Sequence, residues 1–116
     1  MTRRIGRAYE VSDEGYRIRW RQVSYLLPEL KRVARAFFVN YWKKQNGMVV
    51  NEDLMDRLYG RMEYIKEFIR QRLGPEHANE VMGRILISAG VWGMQQADRL
   101  VTFQNRDPPC SLDDEY

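Results

Sequence analysis

The side chains able to do chemistry in this sequence are mostly cations. Eleven Lys and Arg fall in residues 1–44, in three groups: Arg3, Arg4 and Arg7; Arg17, Arg19 and Arg21; and Lys31, Arg32, Arg35, Lys43 and Lys44. Four acids accompany them (Glu10, Asp13, Glu14 and Glu29), so this stretch carries +7. Residues 45–106 hold eight of each sign and residues 107–116 hold four acids and no base, which leaves the chain at +3. An ordinary solvated surface mixes its signs, so the segregation points to a charged partner. Arginine outnumbers lysine fifteen to four. The planar guanidinium fork matches phosphate oxygens better than a point charge does, although a GC-rich genome would leave the same bias. Contact with a phosphate backbone somewhere in residues 1–44 is the chemistry these residues predict.

Catalytic groups are scarce. His77 is the only histidine and stands beside Glu76, with no Ser, Cys or Asp at motif spacing around it, so a surface or capping role is expected. Glu63 and Glu67 share a helix face rich in Arg and Lys, which ordinary side-chain pairing explains. Cys110, the only cysteine, lies in a Pro-rich tail and reads as a solvated thiol. One cysteine and one histidine exclude both an intrachain disulfide and a Cys/His zinc site within the chain. A phosphate-cradling Gly-rich loop and the paired Glu-x-x-His motifs of a bundle metal site are missing too. The expectation is a non-enzymatic chain with no cofactor and no metal.

The elements that must position the cations follow from local pattern. A chain of 116 residues, 44% hydrophobic, fits one domain with a modest core. Its longest apolar stretch, residues 85–94, is interrupted by Ser88, Gly90 and Gly93 and is too short to span a bilayer. No apolar run follows Arg3 and Arg4, so no targeting signal is read, and the protein is expected to stay where it is made or to leave inside an assembly. Residues 1–12 lack any sustained period and read as a basic arm. Ser12, Asp13 and Glu14 then start a helix whose apolar stripe is Tyr16, Trp20, Val23 and Leu27. Residues 16–21 also alternate as a half-buried strand would; the longer stripe and the cap favour the helix.

Pro28 suits the first position of a second helix running to about Gln45, where Asn46-Gly47 stops it. Asn51 caps a third helix with a buried face of Leu54, Leu58, Met62, Ile65 and Ile69, and Gly74 ends it. Pro75 opens a fourth helix reaching about Gln104, either continuous or broken near Gly90. The predicted fold is all-α: a four-helix bundle-like domain with a basic arm and helix (1–27), a helical core (28–106) and an acidic tail (107–116).

On the second helix, Leu30, Val33, Ala34, Phe37 and Tyr41 should meet the core. Lys31, Arg35, Phe38 and Trp42 fall within about one sixth of a turn on another side. There the guanidinium groups could neutralise phosphates while rings lie against sugars or bases, or Phe38 and Trp42 could pack against another helix while the cations snorkel outward. Ala89, Gly93 and Ala97 form a ridge of small residues on the fourth helix, suited to packing within the chain or to a subunit contact.

A basic, aromatic-bearing helical N-terminal region (Arg17-Ile18-Arg19-Trp20-Arg21, then a helix from Pro28) followed by a compact remainder of Gly- and Ala-containing helices resembles the major coat proteins of filamentous archaeal viruses. The resemblance is one of organisation along nearly the whole chain. It implies a nucleocapsid subunit of a virion assembled in host cytoplasm, often dimeric, whose N-terminal helices wrap double-stranded DNA. By that analogy Arg17, Arg19, Arg21, Lys31, Arg32, Arg35, Lys43 and Lys44 would contact phosphates, joined on charge by Arg3, Arg4 and Arg7 and on ring stacking by Trp42. The expected partners are nucleic acid, double-stranded DNA by the resemblance, and further copies or other subunits, without membrane insertion. A small helical transcription regulator and a protein-interaction module (inhibitor or adaptor) are the competing classes.

Removing residues 1–12 is therefore expected to leave a helical chain while weakening nucleic-acid binding or assembly. Circular dichroism with a binding titration on the truncated protein checks this; collapse of the helical signal would make the arm structural.

Overall fold

The computed structural model describes the backbone of Thr2–Arg4 and of residues 10–105, and the side chains of residues 14–100 and 102. Arg7 and the acidic tail, residues 107–116 with Cys110, lie outside the described residues. At the N-terminus β1 (Thr2–Arg4) pairs antiparallel with β2 (Glu10–Ser12), Arg3 opposite Val11, so part of the expected arm is folded back on itself. Four helices follow: α1 (Asp13–Ser24), α2 (Leu26–Gln45), α3 (Glu52–Leu73) and α4 (Pro75–Asn105). Beyond that short strand pair the described residues form a helical bundle.

Residues 16–21 are helical. Alternation loses there because the longer stripe finds a core: Val23 is fully buried, and Tyr16, Trp20 and Leu27 pack half-buried against it. The second helix starts at Leu26, two residues before the expected Pro28. Pro28 still falls in the first turn, where its missing N–H would have had no intrahelical acceptor. At the far end the Asn46 amide donates to Trp42 O and Lys43 O, and Gly47 takes a φ of 79° that reverses the chain. Asn51 caps α3 as expected, its Oδ1 accepting from the Leu54 amide at 3.0 Å. Gly74 closes α3 with a φ of 81°, and Pro75 opens an unbroken helix of 31 residues that passes through Gly90 and Gly93.

The buried face of α3 is rotated from the expected one. Met55, Met62, Ile65, Ile69 and Leu73 are buried, whereas Leu54 and Leu58 are half-buried on its edge. These residues join Val23, Leu26, Leu30, Ala34, Ala78, Met82 and Ala89 to make the core. Burying each large aliphatic side chain contributes about 1.5–3 kcal/mol, so the α2–α3–α4 contact supplies most of the cohesion. Within it α2 is central. It touches α4 most extensively and α3 next, while α1 rests mainly on α3.

The small-residue ridge is consumed inside the chain. Ala89 is 1% exposed and Ala97 0%. A Cβ built on Gly93 would lie 2.7 Å from the Val39 amide nitrogen and 2.8 Å from the Phe38 carbonyl carbon. The expected subunit contact through Ala89, Gly93 and Ala97 is thereby corrected: α2 already occupies the close-approach surface.

Gly93→Ala should cost about 1–3 kcal/mol, because backbone must move to admit the methyl. Gly60→Ala, at a helical position where an added Cβ meets nothing within 4 Å, should gain about 0.5–1 kcal/mol. Urea unfolding of both variants checks the opposite signs.

Candidate nucleic-acid interface

The helices sort the expected phosphate ligands into those bound up in structure and those left in water. Arg17 and Arg21 are exposed one helical turn apart on α1, and Lys31 and Arg32 are exposed on the first half of α2. None of these four forms an ion pair among the described residues. Arg19 points elsewhere. Half-buried, its Nη1 donates to the Arg72 carbonyl at 3.1 Å, in the last turn of α3, where a cation meets the negative end of the helix dipole. Lys44 pairs with Glu52 at 2.8 Å across the α2–α3 connection, and Lys43 sits half-buried in the last turn of α2. Arg3 and Arg4 belong to β1, and their side chains are outside the described set.

The remaining two expected ligands are drawn into the α2–α4 contact. Arg35 is half-buried with its guanidinium 4.9 Å from the centre of the Trp92 ring, and its Nε is enclosed with no hydrogen-bond partner. Stacking on an indole offsets part of the cost of enclosing that charge. Trp42 stands edge-on to Tyr41 at 5.3 Å and borders a groove shared with α4. Phe38 packs against the core. The basic, aromatic face expected on α2 is thus divided: Lys31 and Arg32 remain outside, and Arg35, Phe38 and Trp42 meet α4. Of the two readings the sequence left open for Phe38 and Trp42, they take the side facing α4; that Arg35 would go with them, its Nε enclosed, had no signal in the periodicity.

Cations of the second half of the chain are mostly engaged. Arg61 Nε donates to Glu29 Oε1 at 2.7 Å, Lys66 pairs with Glu63 at 2.9 Å and Arg70 with Glu67 at 3.6 Å. The guanidinium of Arg72 lies 4.3 Å from the Phe68 ring centre. Among the described residues the exposed cations without an ion pair are thus Arg17, Arg21, Lys31 and Arg32 on α1 and the start of α2, with Arg57 and Arg84 standing singly further along.

One polar constellation was invisible in the sequence. Tyr16 Oη and His77 Nε2 share a hydrogen bond of 2.6 Å, and His77 Nδ1 lies 3.7 Å from Glu80 Oε2. The partners Tyr16 and His77 are 61 residues apart, so no local spacing could reveal them. The bond pins the start of α1 to the first turn of α4, and His77 is half-buried there rather than a surface group. Among the described residues no group of three or more His, Cys, Asp or Glu is placed to hold a metal ion, and no helix is long and apolar enough to cross a membrane. Compared with known proteins, the chain matches no family model, no curated protein and no solved structure.

The Glu29–Arg61 pair ties the first turn of α2 to α3. The hydrogen bond from Arg61 holds the Glu29 carboxyl below its ordinary value, with the Arg61 and Arg32 charges adding to the effect. A carboxyl depressed by folding contributes stability above its unfolded value and loses it as pH falls through the folded one. Stability should accordingly drop on acidification through the carboxylate range, and Glu29→Gln should flatten part of that drop while lowering stability slightly at neutral pH. Thermal unfolding from neutral to acid pH for both proteins measures the difference.

Proposed function

We propose that this chain is a structural nucleic-acid-packaging protein, a viral-type coat subunit that holds the phosphate backbone without sequence preference and self-assembles. The observation that carries it is the set Arg17, Arg21, Lys31 and Arg32: exposed on consecutive helices and free of ion pairs among the described residues. On α3, by contrast, Arg61, Lys66 and Arg70 have acidic partners, and of its exposed cations Arg57 alone makes no ion pair among the described residues. Uncompensated surface charge opposes the compact state and supplies counterion-release energy to a polyanion, so it is better explained by a partner than by folding. Arg3, Arg4 and Arg7 extend the same basic region along the chain. Arg35 leaves the phosphate-binding set, since its guanidinium lies over Trp92 with its Nε enclosed, and Trp42 borders the open groove between α2 and α4. Double-stranded DNA is the favoured partner through the resemblance to filamentous archaeal virus coat proteins, with the virion as the destination.

Such binding reads charge and not base edges. Affinity should be similar for unrelated duplexes and fall steeply with salt. Changing Arg17, Arg21, Lys31 and Arg32 together to Gln should reduce the salt slope by about 0.9 for each phosphate that is no longer neutralised. The melting temperature should barely move, because exposed cations add little to stability. Fluorescence-anisotropy titrations over a range of salt, with thermal melts, measure both. Absence of binding at low salt would remove the proposal, and strong preference for one duplex would favour a regulator.

A further inference from the structure

Beside the tight α2–α4 crossing, Phe38, Tyr41 and Trp42 of α2 and Ile87, Val91 and Met94 of α4 border an open groove of about 270 Å³. On its α4 side Ile87 is 71% exposed, Val91 45% and Met94 37%. Three large apolar side chains at i, i+4 and i+7 form a stripe that the chain's own core does not use. Gly90 lies beside them, and a Cβ built there would meet nothing within 4 Å. Glycine costs about 1 kcal/mol relative to alanine within a helix, and packing inside this chain gives no return for it.

The charges around the stripe are placed symmetrically. Arg84 precedes Val91 by seven residues and Asp98 follows it by seven. At 100° per residue Arg84, Ile87, Val91, Met94 and Asp98 fall within about a quarter of a turn of α4. Arg84 and Asp98 are both exposed, and neither forms an ion pair among the described residues.

We infer that the groove is covered by a second copy of this chain, α4 against α4, antiparallel about a twofold axis at Val91. Reversing one helix over the other brings Arg84 of each protomer opposite Asp98 of its mate, making two equivalent ion pairs, one at each end of the apolar stripe. A parallel pairing in register would set Arg84 against Arg84. Opposite charges at equal distances from the centre of an apolar stripe are what an isologous contact requires, and a partner of unrelated sequence gives no reason for that symmetry. The open space at Gly90 lets the second helix approach, and the groove beside Trp42 can receive its apolar side chains. This contact lies away from the Ala89–Gly93–Ala97 ridge, which α2 fills, and it does not depend on nucleic acid.

Sedimentation velocity of the full chain, free of nucleic acid and over a wide concentration range, tests the pairing. The expected result is a reversible monomer–dimer equilibrium. Val91→Glu, which sets two carboxylates face to face across the axis, should weaken dimerisation at least about tenfold with the helical circular-dichroism signal retained. Arg84→Asp and Asp98→Arg should each weaken it about three- to tenfold through like-charge opposition in place of two exposed pairs. Combining them in one chain should restore most of the affinity, because each exchanged residue then meets its exchanged counterpart. A monomer at every concentration would overturn the proposal and leave the groove to a different helix. A dimer indifferent to Val91→Glu, or a double exchange no better than the singles, would overturn it as well.

Discussion

At Gly93 the backbone of α4 comes so near to α2 that one added carbon would stand 2.7 Å from the Val39 amide nitrogen. Helices brought this close cannot keep large side chains between them, so those beside the crossing must splay to its flanks. Arg35 is laid over Trp92, and Phe38, Tyr41 and Trp42 line the groove toward Ile87 and Met94. Ala89 and Ala97, one turn to either side of Gly93, are buried at 1% and 0% exposure. Fixing α4 on one side of α2 while α3 packs on another makes α2 the helix about which the rest is arranged.

That arrangement also decides which cations remain available. Arg35 belongs to the basic cluster of α2 by sequence, yet the crossing encloses its Nε and leaves the charge to an indole. Arg19 belongs to the cluster of α1, yet it donates to a carbonyl at the end of α3. Each gives up phosphate-binding capacity for a structural contact. Arg17, Arg21 and Lys31 make no such contact, and Arg32 has only the through-space attraction of Glu29, so their exposed charge is left largely to the solvent. Cation content alone therefore overstates a binding surface; the bundle subtracts from it the groups needed to dock its own helices.

What was legible in the sequence was what short-range chemistry decides. The Asn51 cap, the Gly74 stop, the Pro75 start and the end of α2 at Gln45 each depend on residues within a few positions of one another. The uncompensated charge of residues 1–44 was legible because charge is additive along a chain. What was not legible depended on which side of each helix a distant partner would choose. The apolar residues of α3 permit two neighbouring stripes, and packing selected the one with Met55 and Leu73 over that with Leu54 and Leu58. The ridge at Gly93 permits close approach by any backbone, and the chain's own α2 claimed it before another subunit could. The Tyr16–His77 bond has no local signature at all.

The proposed polyanion surface and the proposed pairing surface occupy different stretches of one helix. Lys31 and Arg32 stand on the first half of α2, and Tyr41 and Trp42 border the groove near its end. Ten residues separate Arg32 from Trp42, about 15 Å along an α-helix axis, which exceeds a Debye length at physiological salt. Charge at one end thus interferes little with apolar contact at the other. A twofold at Val91 would add a second, symmetry-related basic end. Two such ends on one particle make the second phosphate contact intramolecular once the first has formed, and avidity then exceeds the affinity of either end alone where both can reach the same strand. The salt dependence of a paired subunit should be correspondingly steeper than that of a monomer, since each additional neutralised phosphate releases its own counterions. The proposed pairing and the proposed packaging would in this sense be coupled through ion release, with no structural change needed to pass between the two surfaces.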